Sequence, residues 1–581
     1  MVRNILGTEM TLMAMSIASG GGEYTKHYPA NVDWREAIEP RPLYELLDEP
    51  ARRIPAQNAI DFLDKKTTYG ELSAKVDRFA KGLQTLGVKP GDRVGLFLPN
   101  CPYFIIAYFG ILKAGGIVVN YNPLYVAKEI ESQVKDSGTT VMVTLDLQAL
   151  YSKLAPMLGT TPLKTIIVAS MANALPFIKK LLFPIVRRKD LATPPRDSAH
   201  PRFDDVAAND GRYQAAPIDP VKTVAVLQYT GGTTGIPKGA MLTHSNLFAN
   251  AVQCRRWFHG LEFGKERALG VLPFFHVFAM TVVQNMLLSA GAEIVMLPRF
   301  EVDAALKAIV TKKTTFVAGV PTMYTAFNTA VAKQPRDLSS VRNCISGGAP
   351  LPLEVKQRFE QVTGCHLVEG YGLTESSPVA TCNPLGGVNK AGSIGLPLPL
   401  TRLELRDIAD PKAVSPRGER GEICIGGPQV MAGYWNRPEA TQQQMVDGLL
   451  RTGDIAMMDE DGYFFIVDRM KDLILCSGFN VYPRVVEEAI YQHPAVEECT
   501  VIGITDAYRG QSPKAFVKLL AEKTLTAEEL MAFLKDKLNP IEMPREIEFR
   551  AALPKTLIGK LSKKELVAEE AAKAQVEKRQ N

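Results

Sequence analysis

Several protein classes are excluded by what this sequence has little of. Its 581 residues include eight cysteines: Cys101, Cys254, Cys344, Cys365, Cys382, Cys424, Cys476 and Cys499. They form no CxxC pair and no histidine stands at zinc-ligand spacing, which argues against a zinc module or a disulfide framework and fits buried thiols in a reducing compartment such as the cytoplasm. Neither sign of charge dominates. The 67 Lys and Arg against 62 Asp and Glu leave a formal +5, too little over this length to point to nucleic acid as a partner. Long apolar runs are also lacking: the longest, Phe104 to Val119, is interrupted by Lys113 and glycines, whereas a membrane span needs about 20 apolar residues. The apolar opening of the chain is broken by Glu9, so residues 1–27 read as a disordered leader, or as the product of a start codon placed too early, rather than as a secretory signal.

What is present is ordinary globular composition, 46% hydrophobic, over a length that calls for at least two folding units. Buried strands are expected at VGLFLP (94–99), GIVVN (116–120), VMVTL (141–145), TIIVAS (165–170) and AEIVML (292–297), with helical patterns between them; that alternation predicts α/β layers. From Arg402 on, short strands with glycine turns (LELRDI, GEICIGG, GYFFIVDR) predict a β-rich subdomain. Beyond Lys471 the helices VVEEAIYQHP and AEELMAFLKDKL alternate with the strands ECTVIGI and AFVKLL, as in a small α+β unit. The expected division is therefore a large domain over 28–469, a small mobile domain over 470–566 and a charged tail over 567–581. Residues 176–190, PFIKKLLFPIVRRKD, interleave basic and apolar side chains; they fit either a segment lying on an anionic membrane or a surface helix with snorkelling lysines.

The sharpest motif is YTGGTTGIPKG, from Tyr229 to Gly239. It follows the apolar run TVAVLQ. Glycines and hydroxyls in a row (Thr230, Gly231, Gly232, Thr233, Thr234, Gly235) offer backbone N–H and Oγ groups to a phosphate chain, and Lys238 adds charge. A Walker loop would close on Gly-Lys-Ser/Thr; here Ile236 and Pro237 precede the lysine.

This loop resembles that of the adenylate-forming superfamily of acyl- and aryl-CoA ligases, and further motifs fall in the family's order from about His27 onward. The resemblance implies an α/β fold with a large multi-layer N-terminal domain and a small mobile C-terminal domain. It implies ATP and CoA as co-substrates and Mg²⁺ as cofactor. Gly347-Gly348-Ala349-Pro350 is similar to the glycine turn lying against adenine. In Glu369-Gly370-Tyr371-Gly372-Leu373-Thr374-Glu375, the resemblance gives Tyr371 and Gly372 to adenine, Thr374 to the α-phosphate and Glu375 to Mg²⁺. A single carboxylate suits an ion that takes most of its ligands from phosphate and water. Asp454 and Arg469 correspond to the ribose and phosphate contacts, Lys471 to the hinge, and Lys560 to the lysine that stabilises charge during adenylation. Ser477, Gly478 and Phe479 correspond to the loop lining the pantetheine channel. His276 matches a site near the acyl carboxylate, with Gly348 and Gly370 beside it, although a histidine between phenylalanines is equally at home in a core. Two departures stand out: Met280 occupies a position where some members carry a gating Trp, and LSKKEL after Lys560 is less basic than the usual pattern.

Three passages are similar to the bacterial long-chain fatty acid CoA ligases: LQYTGGTTGIPKGAMLTHSNLFAN (227–250), GSIGLPLPLTRLELRD (392–407) and DGLLRTGDIAMMDEDGYFFIVDRMKDLILCSGFNVYP (447–483). They imply a fatty acid substrate, with Val317 to Phe327 as a candidate tunnel wall. Medium-chain, dicarboxylic or aryl acids stay open, as does a homodimer. A non-catalytic lipid-binding protein of the same fold is the reading from another class, and it would be expected to lose Lys560 or Glu375.

Overall fold

The computed structural model describes residues 23–230, 237–477, 479–506, 508–556 and 561–580, the side chains of 574–580 excepted. The leader expected over 1–27 lies outside the described residues up to position 22; Glu23–His27 forms a short 3-10 turn with Tyr24 buried. Residues group into two compact units. The first comprises Met1–Lys390, Gly395–Arg402 and Gly426–Met445, and the second Ala391–Ile394, Leu403–Ile425 and Val446–Asn581.

Two large sheets build the first unit. A six-stranded sheet runs in the order Thr165–Ala169, Val141–Leu145, Arg93–Leu96, Ile117–Asn120, Val224–Thr230, Lys238–Thr243. Its first five strands are parallel and the last turns back antiparallel. Four of the five expected strands are found here within a residue or three of their limits, and the fifth is Glu293–Met296 of the second sheet, because continuous Val/Ile runs suit strands covered on both faces. The nine-stranded sheet is parallel from Asn58–Phe62 through Glu293–Met296, Arg267–Gly270, Phe316–Gly319 and Asn343–Gly347 to His366–Gly372, with antiparallel strands at both edges. Pro102–Lys113 is a helix whose residues from Tyr103 to Lys113 are all buried. Its terminal ammonium pairs with Asp48 at 2.6 Å and Asp77 at 2.7 Å. Among the described residues no helix is long and apolar enough to cross a membrane.

In the second unit, a five-stranded sheet holds Arg402–Arg406, Gly421–Gly426, Leu449–Met458 and Met445–Val446 in that order, with Phe464–Arg469 also on Leu449–Met458. A further sheet pairs Val496–Asp506 with Gly510–Leu519 over ten register positions. Helices Pro483–Tyr491 and Ala527–Leu534 bury Val486, Ile490, Leu530 and Leu534 against Val501, Ala515 and Val517. The β-rich segment and the small α+β segment thus fall in one compact unit.

Candidate active site

Strand ends gather most of the sequence candidates in the first unit. Asn343–Gly347 and His366–Gly372 are adjacent parallel strands with Gly347 opposite Gly370. Gly348 and Ala349 follow one strand, and Gly370, Tyr371 and Gly372 finish the other. Ligands of open α/β sheets bind at such carboxyl ends. Two glycines are required by space or conformation. A Cβ on Gly372 would lie 1.8 Å from the Pro378 carbonyl oxygen, and Gly348 has φ +83°. His276 is half-buried, and its neighbour Phe278 packs so close to Gly347 that a Cβ there would meet the ring at 3.2 Å. After Phe278 the chain winds as a π-helix, Ala279–Met286, entirely buried; wide turns of this kind are frequent at functional sites.

The phosphate-loop hairpin is closed by Thr230 opposite Lys238 and Tyr229 opposite Gly239. Gly231, Gly232, Thr233, Thr234 and Gly235 lie outside the described residues. The Tyr229 hydroxyl donates to Asp136 Oδ2 at 2.7 Å, and Arg437 donates to the other oxygen at 2.6 Å. Burial, and then the Asp136 hydrogen bond and charge, push the Tyr229 phenol well above its ordinary range.

Thr374–Ser376 forms a 3-10 turn packed against both strands of this hairpin. Tyr434 joins the turn to the hairpin. Its hydroxyl donates to Glu375 Oε1 at 2.6 Å, and Lys238 Nζ stands 5.0 Å from its ring centroid, within cation–π range. Burial, then the charge of Glu375, raise its phenol pKa. Backbone bonds fix this placement. Met241 N–H reaches Gly433 O (2.8 Å), Trp435 N–H reaches Gly239 O (2.8 Å) and Met431 N–H reaches Glu375 O (2.8 Å), so residues 431–435 lie alongside the hairpin through an isolated antiparallel bridge between Ala240 and Tyr434. Sequence reading missed Tyr434, Asp136 and Arg437; the available signal was the aromatic pair Tyr434-Trp435 after Gly433.

Among the described residues no three His, Cys, Asp or Glu side chains gather as a metal cage. Glu375, a half-buried carboxylate beside the phosphate hairpin, fits a Mg²⁺ held chiefly by nucleotide phosphates and water.

The remaining candidates belong to the second unit. Asp454, 7% exposed, faces Arg469 across paired strands, and Arg469 Nε donates to Asp454 Oδ1 at 3.1 Å. Glu422 shapes the turn before Asp454: it accepts from Gly453 N–H at 3.0 Å and binds Arg451 at 2.7 Å. Lys471 sits in the 3-10 turn Met470–Asp472, where burial and then the nearby Arg469 charge lower its pKa. Just before it, Asp468 accepts from Arg469 N–H (2.7 Å) and Arg484 N–H (3.0 Å). Burial, partly opposed by Lys563, pushes its carboxyl up to about 6. Ser477 has φ +52° in the turn between Ile474–Cys476 and Phe479–Val481, and Phe479 is 65% exposed. Gly478 and Lys560 lie outside the described residues. The candidate tunnel wall is the buried strand Phe316–Gly319 followed by the helix Pro321–Lys333, with Tyr324 donating to Val317 O and Ile345 O.

The family model described as AMP-binding enzyme matches residues 47–435, and the AMP-binding enzyme C-terminal domain matches 485–560. The chain is 43% identical over 554 residues to a long-chain-fatty-acid–CoA ligase of Bacillus subtilis (strain 168), covering 94% of this chain and 97% of that relative. It is 37% identical over 553 residues to a protein of the same description from Escherichia coli O157:H7, with 94% and 97% covered. Among solved structures, the anthranilate CoA ligase AuaEII in complex with anthranoyl-AMP superposes with a TM-score of 0.82 at 26% identity, covering 94% of this chain and all of that one. With residues 47–435, more than half its length, matched by the family model, the chain belongs to the AMP-binding enzyme family.

Proposed function

We propose that this protein is an ATP-dependent fatty acid CoA ligase acting on long-chain acids in the cytoplasm. The observation that carries most weight is the seating of Glu375 between Tyr434 and the hairpin bearing Lys238, an acidic and a basic group fixed by backbone bonds where a nucleotide polyphosphate would lie. The long-chain assignment draws on the relatives named above and on the apolar stretch Val317 to Phe327. Each methylene buried there contributes about 0.8 kcal/mol, so chain length becomes a measurable preference.

In the proposed reaction the fatty acid carboxylate attacks the α-phosphorus of ATP, forming acyl-AMP and releasing diphosphate. The CoA thiol, losing its proton, then attacks the acyl carbonyl, and AMP departs with the electron pair of the broken C–O bond. Lys560 and Thr374 stabilise charge on the carboxylate and α-phosphate in the first step. Tyr371, Gly348 and Ala349 hold adenine, and Asp454 and Arg469 the ribose. Glu375 would hold Mg²⁺, which when bound neutralises phosphate charge. Tyr434 orients the Glu375 carboxylate for that task. His276 and Gly370 border the acyl carboxylate. Rotation about Lys471 withdraws Lys560 and brings Ser477, Gly478 and Phe479 to the thiol path, so two chemistries use one pocket.

The test incubates the protein with ATP, Mg²⁺, CoA and a series of acids from short to long chain, a dicarboxylate and a coumarate-type aromatic, with Lys560→Ala as control. AMP and thioester formed together, greatest with long chains and lost in the control, is the expected result. A maximum at the aromatic or the dicarboxylate reassigns the acid. AMP without thioester points to another acceptor, and no AMP from any acid leaves the non-catalytic lipid-binding reading.

A further inference from the structure

The helix Phe177–Val186 buries none of its residues. Phe177 is 75% exposed, Ile178 71%, Leu181 57%, Leu182 51%, Ile185 74% and Val186 72%. At about 100° per residue these six occupy one half of the helix circumference. On the other half Lys179, Lys180 and Pro184 are exposed and Phe183 is half-buried, and Lys179 donates to Leu63 O and Asp64 Oδ2, both at 3.0 Å. Asp64 is itself held by Lys312 at 2.7 Å, which also reaches Asp61 at 2.8 Å. Phe183 and Lys179 thus tie the helix to the protein while the apolar half is turned to solvent.

Charge decides what covers such a face. Lys180, Arg188 and Lys189 are exposed at or beside the helix, and Arg187 pairs with Asp190. Exposed cations beside and just beyond a short apolar ridge match an anionic lipid surface, where alkyl and aromatic side chains enter the acyl boundary and ammonium and guanidinium groups stay among the headgroups. A second copy of the chain fits poorly. Ten residues make a helix about 15 Å long, too short for the roughly 800 Å² per partner of a stable interface, and the like-charged rims would meet.

We propose that Phe177–Val186 docks the protein on anionic bilayers, lying flat with Phe177, Ile178, Leu181, Leu182, Ile185 and Val186 in the membrane. This inference is independent of the ligase reading, because binding is measured without acid, ATP or CoA. The full chain is floated with vesicles of phosphatidylcholine alone and of phosphatidylcholine mixed with phosphatidylglycerol, beside the variants Leu181→Asp/Ile185→Asp and Lys180→Glu/Arg188→Glu. Thermal melting checks that each variant is folded. The expected result is binding to the anionic vesicles only, weakened by added salt and reduced at least about tenfold in both variants. Equal binding to neutral vesicles, or undiminished binding by the Asp variant, overturns the proposal. So does a lipid-free dimer that dissociates in the Asp variant, since that would give the face to a second copy.

Discussion

Pro102–Lys113 and Phe177–Val186 are both short, strongly apolar helices, yet the first is buried from its second residue on and the second has no buried residue. Hydrophobic content does not separate them; the placement of charge does. The buried helix carries its lysine at the last position, where Asp48 and Asp77 receive it. The exposed helix carries Lys179 and Lys180 in its first turn and Arg187 and Arg188 just past its end, so it could not enter a protein core without several unpaired cations. A sequence can therefore mark an apolar helix for water or lipid by where it puts two or three charges.

Substitutions that reverse each setting should break this contrast. Phe109→Ala in the buried helix is expected to cost about 3–5 kcal/mol, measured by denaturant unfolding. Asp48→Ala/Asp77→Ala strands the Lys113 ammonium, 3% exposed, and should cost a similar ~3–5 kcal/mol, whereas Lys113→Met leaves carboxylates that already reach water and should cost about 1 kcal/mol. His244 extends the rule to a titrating group. Burial holds its pKa down at about 4, and its Nδ1 accepts the Leu43 N–H at 3.0 Å. The unfolded chain takes up this proton at the ordinary histidine pKa and the folded chain only near 4, so stability is full above about pH 6.5 and falls as pH drops toward 4, by on the order of 3 kcal/mol. His244→Asn should flatten that part of the stability–pH curve. Tyr434→Phe removes a hydrogen bond to a half-buried carboxylate; AMP formation should need about 10- to 100-fold more Mg²⁺ while the melting temperature changes little. Smallest of all, Phe177→Ala in the exposed helix should change stability by no more than about 0.5 kcal/mol.

The five strands expected before residue 300 were legible because Val/Ile runs between glycine turns have few other uses. The strand Val224–Thr230 was legible from the apolar run TVAVLQ, whereas the return strand Lys238–Thr243 was not marked by any pattern. What sequence did not reveal were partners distant along the chain. Asp136 lies 93 residues before Tyr229 and 301 before Arg437, and no local pattern marks the single aspartate that joins them. Tyr434 was hidden for the same reason, since its role comes from backbone pairing with Gly239 and Met241. The π-helix after Phe278 was invisible too, because apolar spacing looks alike for α- and π-turns over eight residues. The 176–190 segment fits both of its readings from sequence alone; fractional exposure adds only which residues of the helix meet solvent.

The bridging segment 431–435 also sets a schedule for the chain as it is made. The hairpin it joins ends at Thr243, so roughly 190 residues must be added before Tyr434 exists to engage Glu375; at ribosomal rates of about 5–20 residues per second that is a delay of roughly 10 to 40 seconds. During that interval the hairpin lacks its backbone partners at Gly239 and Met241. Nucleotide binding should therefore appear late in synthesis, as a step rather than a gradual gain.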